Sequence, residues 1–261
     1  MALGILRRGR GRMSGARPVQ EERRMTVVEH LQDLRRVLIV SLVAWLVATI
    51  VAAVFNHFLL SVLEYPLTSL LATHNRLISK PIITSPTELV TIPLKVAMVG
   101  GLVLSLPVIL WQAWTFVSPG LRPVERRFAL PFIASALLLF AGGACLAYLL
   151  MPLWLNLLTT IVGNNAIFFP DLNQYLSFLT LLIVAFGVTF ELPVVIILLG
   201  LLGIVSSGWL RRHRKAIWIV ILIAANLVTP GADPFTPMML AIPLIGLFEL
   251  SVVILAKPLR R

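Results

Sequence analysis

The chain is poor in acid and poorer still in cysteine and histidine. Its 261 residues hold 11 Asp and Glu against 22 Lys and Arg, with one cysteine and four histidines. Cys145 has no possible partner within the chain, which excludes an internal disulfide, and its apolar neighbours predict a small buried residue. His30, His57, His74 and His213 are scattered, with no HExxH and no i, i+4 pair, so the pattern offers no metal set. No serine and histidine share an apolar segment, and no nucleophile or cofactor motif stands out, which leaves catalysis without a candidate residue. Charged residues make up 13% of the chain and hydrophobic ones 59%. A soluble domain averages about 25% and about 45 to 50%. The balance excludes an ordinary soluble domain and points to an all-α protein that crosses a membrane several times.

What charge there is follows a map. Nineteen of the 22 Lys and Arg fall in four segments: before Val37, between Trp114 and Arg127, between Gly203 and Lys215, and after Ala256. Arg76, Lys80 and Lys95 are the exceptions. Positive residues collect on the cytoplasmic side of membrane proteins, so all four segments and both chain ends are expected there. A nucleic-acid binder would gather its cations into one stripe instead of spacing them at span boundaries.

Between these segments the apolar runs predict six spans. Residues 1–25 read as a disordered basic tail without the apolar core of a cleavable leader. Residues 26–36 predict a short amphipathic surface helix, opened by Thr26 with Glu29 three positions on, in capping-box spacing. The spans follow at 37–55, 87–114, 128–150, 175–202, 216–229 and 238–256. Outer segments at 56–86 and 151–174 are expected to break at Pro66 and Pro152, with inner loops at 114–127 and 203–215. Residues 26–256 thus form one membrane domain, and 257–261 a short inner tail. Lys95 reads as a snorkelling side chain.

The fourth span holds Glu191 slightly past its middle. A charged carboxylate at that depth costs about 2.5 to 3.5 kcal/mol on insertion scales, so an acid there is a functional candidate. Pro193 removes a backbone donor two residues on and Gly187 leaves a notch one turn before, predicting a bent helix with a polar pocket at the bend. Glu191 serves as a docking point for a partner or a peptide hairpin, as a proton-linked group, or as a carboxyl bonded to Thr189, Thr180 or a neighbouring span. A secondary transporter coupling through Glu191 and Asp233 is the rival class.

Five segments in order carry a family resemblance: 30–38 (HLQDLRRVL), 116–127 (FVSPGLRPVERR), 186–193 (FGVTFELP), 227–233 (LVTPGAD) and 241–249 (AIPLIGLFE). Together with six spans they resemble TatC, the polytopic component of the twin-arginine protein translocase. The resemblance implies a glove-shaped bundle in the bacterial cytoplasmic membrane that binds signal peptides carrying consecutive arginines on folded cargo. It implies that Asp33 and Glu125 hold the arginines. Carboxylates are the natural acceptors for guanidinium pairs, through charge-assisted and often bidentate hydrogen bonds. Asp33 stands where the family usually has Glu, and Glu29, one turn earlier, shares the load. Arg35, Pro66, Phe116 and Arg127 are implied to shape or contact the same surface, and Glu191 to line a polar site in the concave face. The last two spans, with Thr229 and Asp233 at their turn, resemble the surface that receives TatA and TatB. The family also implies several copies per complex, drive by the proton-motive force, no cofactor and no metal.

Overall fold

The computed structural model describes residues 27–74, 80–122, 126–162, 170–228 and 235–256. The tails at 1–25 and 257–261, with Glu125, Thr229 and Asp233, lie outside them. Among the described residues the regular elements are helices. They run α1 (Val27–Val54), α2 (Asn56–His74), α3 (Glu88–Val117), a 3-10 turn (Ser118–Gly120), α4 (Ala129–Val162), α5 (Leu172–Phe190), α6 (Leu192–Leu201), α7 (Ser207–Val228) and α8 (Phe235–Ala256). Five stretches are long and apolar enough to cross a membrane: Val28–Val54, Glu88–Gly120, Ala129–Leu157, Leu172–Leu201 and Pro237–Ala256.

Four boundaries differ from the sequence expectation, each because a helix continues where polarity or proline suggested a stop, and one of them is α2, which runs through Pro66 where a break was expected. The amphipathic segment and first span form one helix, α1, since no Gly or Pro interrupts 27–54 and polarity alone does not end a helix. Helix α4 runs through Pro152, where an outer loop was expected. Met151 and Leu155 on either side are buried in the core, and a proline inside a membrane helix is tolerated where neighbours hold its flanks. The basic run RRHRK is part of α7 and not of a loop. Its cations fill much of the first half of α7, so that helix is absent from the five membrane-length stretches. Cys145, expected inside, is exposed on α4.

Small residues set the closest helix approaches. Helix α1 packs chiefly on α3, where a Cβ at Gly101 would stand 2.5 Å from the Thr49 Cα. The notch expected at Gly187 is real and is filled by the Phe140 ring, 2.5 Å from where a Cβ would be. Around that contact α4 and α5 build the core with α2 and α8, through Leu67, Leu71, Met151, Leu176, Leu179, Phe186 and Phe248. Most of the surface of α1 that faces away from α3 is exposed and apolar, from Leu38 to Val54.

Helix α2 is fixed by its proline. Pro66 has no N–H, so the Val62 carbonyl loses its helical partner. Tyr148 of α4 donates its hydroxyl to that carbonyl at 2.8 Å, and Tyr175 of α5 donates to the adjacent Leu63 carbonyl at 3.0 Å. The outer chain is tied further by a two-bond bridge, from the Ile82 N–H to the Pro170 carbonyl and from the Leu172 N–H to the Ile82 carbonyl.

Candidate signal-binding rim and polar sites

At the inner rim, α1 meets the C-terminal end of α3. Asp33 is half-buried one turn after the exposed Glu29, and Arg35 points outward. The His30 ring stacks on Phe116, with centroids 4.3 Å apart and planes 18° from parallel. That stack places the face of α1 bearing Asp33 at the mouth of the first inner loop. The start of the loop is seated by Trp114, Leu121 and Ile133, which pack together as a small separate core. Arg126 clamps it, donating from Nε to the Leu121 carbonyl at 3.2 Å and from Nη2 to the Pro119 carbonyl at 3.0 Å. The Arg127 guanidinium lies 5.1 Å from the centre of the Phe128 ring, within cation–π range. Asp33, Phe116 and Arg127 therefore belong to one rim. Pro66 does not: it is buried on α2, which follows the far end of α1, and the 21 residues from Asp33 to Val54 rise roughly 30 Å.

Glu191 stands at the joint between α5 and α6, where the expected bend occurs. Its Oε1 is buried and has no hydrogen-bond partner among the described residues. The internal partners the sequence suggested are occupied. Thr189 donates to the Ala185 carbonyl at 2.6 Å and Thr180 to the Leu176 carbonyl at 2.5 Å, each within its own helix. A buried acceptor without a donor costs about 1 to 3 kcal/mol.

The outer end holds a polar group that sequence reasoning missed. Lys95 does not snorkel. Its Nζ donates to Asn173 Oδ1 at 2.6 Å and to the Ser177 hydroxyl, pinning α3 to α5. The Thr84 hydroxyl lies 2.9 Å from Glu88 Oε1 and 2.7 Å from Asp171 Oδ2. Asp171 caps α5 by accepting from the Gln174 N–H at 2.8 Å. An Asp followed three positions later by Gln just before an apolar run was the available signal. Its slight burial opposes ionisation, but the Gln174 and Asn173 N–H groups, the Thr84 hydroxyl and the Lys95 charge outweigh it and hold the carboxyl below its ordinary 3.8. On α2, burial raises Glu64 against the opposing charge of His57. Beside this network a cavity of about 800 Å³ opens between α4 and α5, walled by the stacked Trp154 and Phe178. No group of His, Cys, Asp and Glu among the described residues is arranged to hold a metal.

Residues 29–243 match the family model described as Sec-independent protein translocase protein (TatC). The chain is 36% identical over 242 residues to the Sec-independent protein translocase protein TatC of Frankia casuarinae, covering 90% of this chain and 66% of that one. It is 35% identical over 235 residues to the TatC of Carboxydothermus hydrogenoformans, covering 90% and 94%. A crystal structure of a twin-arginine translocase receptor, TatC, in DDM superposes with a TM-score of 0.77 at 32% identity, over 87% of this chain and 99% of that one.

Proposed function

Since this chain belongs to the TatC family of Sec-independent protein translocase components, we propose that it is the receptor of a twin-arginine translocase in a bacterial cytoplasmic membrane. It is a multi-pass transport protein. In the proposed arrangement α7 is a sixth, short span, the bundle is glove-shaped, and both chain ends are cytoplasmic. The inner rim takes the two arginines of a signal peptide on folded cargo. Asp33 accepts one guanidinium, Glu125 of the first inner loop the other, and Glu29 adds negative charge one turn from Asp33. Arg35 and Arg127 border the groove and disfavour misplaced cations, while Phe116 seats the loop. Pro66 acts at a distance, by shaping α2.

The observation that supports this proposal is the stack of His30 on Phe116, which sets the acid-bearing turn of α1 against the end of α3 that leads into the first loop. Two charged hydrogen bonds of about 1.5 to 3 kcal/mol each suffice to select an arginine pair. Glu191 offers its unmatched oxygen to an inserted peptide or partner helix, and the turn bearing Thr229 and Asp233 receives the single-span TatA and TatB subunits. Several copies assemble, and the proton-motive force drives passage without a cofactor. Co-purification with a tagged cargo bearing an RR signal tests the proposal directly. An RR cargo is retained and its KK counterpart is not; equal retention of both would reject it.

A further inference from the structure

Helix α7 divides its cations between two faces. Leu210, Ile217, Ile221 and Ala225 recur at helical spacing on the side packed into the bundle. Arg214 belongs to that stripe, where its Nη2 meets Glu249 of α8 at 3.7 Å. His213 is also engaged, its ring tilted against Trp209 at 4.5 Å between centroids and bonded through Nδ1 to the Trp209 carbonyl at 2.9 Å. Arg211, Arg212 and Lys215 lie on the opposite side and are exposed. At 100° per residue they fall within about 100° of one another and away from the buried stripe. Among the described residues, the ion pair recorded on this helix uses Arg214 and none of these three.

One turn further along, the same face is apolar as far as Ile223, before the exposed Asn226. Ile219, Leu222 and Ile223 are exposed, with Trp218 at the boundary. Indole rings collect at the membrane–water interface, so Trp218 marks the depth at which headgroups end and acyl chains begin. A ligand matching this face is anionic at one end and apolar over the next two turns. We propose that the outward face of α7 is a binding site for an anionic phospholipid, its phosphate held by Arg211, Arg212 and Lys215 and its chains lying on Ile219, Leu222 and Ile223. A soluble acidic segment would satisfy the cations but not the apolar continuation, and a zwitterionic lipid the reverse. The leaflet concerned follows from the topology in the proposed function; the lipid preference does not.

Native mass spectrometry of the full chain in detergent tests the site, with phosphatidylglycerol and phosphatidylcholine of identical chains added in turn. Phosphatidylglycerol is retained in preference. The triple variant Arg211→Gln, Arg212→Gln, Lys215→Gln binds it at least about tenfold more weakly, consistent with each cation contributing near an anionic headgroup. The three single variants each lose severalfold, which keeps the test open if the triple variant aggregates. Lys80→Gln, removing an exposed cation elsewhere, leaves retention unchanged. Equal retention of the two lipids, or undiminished phosphatidylglycerol binding in the single and triple variants, overturns the site. Displacement of the lipid by a soluble polyglutamate peptide that binds more tightly, through the same three residues, overturns it in favour of an acidic partner. No signal peptide is present, so a negative result here leaves the receptor role untouched, and loss of arginine recognition would leave this result standing.

Discussion

The two ends of the bundle spend their polar groups differently. At the outer end Lys95, Asn173, Ser177, Thr84, Glu88 and Asp171 satisfy one another, and two tyrosines donate to carbonyls one turn before Pro66. At the inner rim Asp33 and Arg35 join no comparable network among the described residues, and the described ordering comes from ring stacking and from arginine bonds to loop carbonyls. An end whose polar atoms are matched internally is built to hold shape. One that leaves charges outside such a network among the described residues suits the proposed role of meeting a charged ligand. Substitutions at the two ends should therefore fail in different assays.

The largest effect is expected at the inner rim. Replacing both Asp33 and Glu125 by Ala should weaken crosslinking of an RR signal peptide roughly a hundredfold or more, from two lost charged hydrogen bonds of about 1.5 to 3 kcal/mol each. The thermal midpoint of the purified protein should barely move. A large fall in the midpoint would mean the rim is structural and erase the contrast. Next comes Lys95→Met, which strips α5 of two bonds to a charged donor. Unfolding should become easier by about 1.5 to 3 kcal/mol, with peptide crosslinking retained. Tyr148→Phe leaves the Val62 carbonyl of α2 unmatched, and a smaller loss of about 1 to 3 kcal/mol is expected in the same unfolding assay; Tyr175→Phe, whose Leu63 acceptor keeps its place in the helical ladder, should cost less. Normal stability in both would show that water replaces the hydroxyls.

The smallest effect is a pH dependence. The Asp171 carboxyl is held below its ordinary 3.8. The stability it lends is complete above that value and disappears as the pH falls through the lower folded value. Asp171→Asn should lower stability at neutral pH and flatten the acid limb, so that the two profiles converge below about pH 4. A difference that persisted undiminished in acid would assign Asp171 some other role.

Much of this division was visible in the chain before any coordinates. Long apolar runs marked the spans, and Gly187 with Pro193 marked the bend at Glu191, because glycine and proline act on the backbone locally. The acids Asp33 and Glu29 were legible as exceptions in basic surroundings. What stayed hidden was decided by distant partners. Lys95 looks like any lysine near a span end until Asn173, 78 residues away, is folded beside it. Pro152 reads as a breaker until Met151 and Leu155 are buried around it. The run at 211–215 reads as a loop because charge suggests solvent, yet a helix accepts charge on one face, and Arg214 finds Glu249 on another chain segment.

The most direct measurement is a paired titration of the purified protein with RR and KK signal peptides, in the native chain and in the Asp33→Ala, Glu125→Ala variant. A grip built from two carboxylates predicts strong preference for RR in the native protein and a ratio near one in the variant, through loss of RR affinity alone. An RR preference that survives in the variant would contradict it.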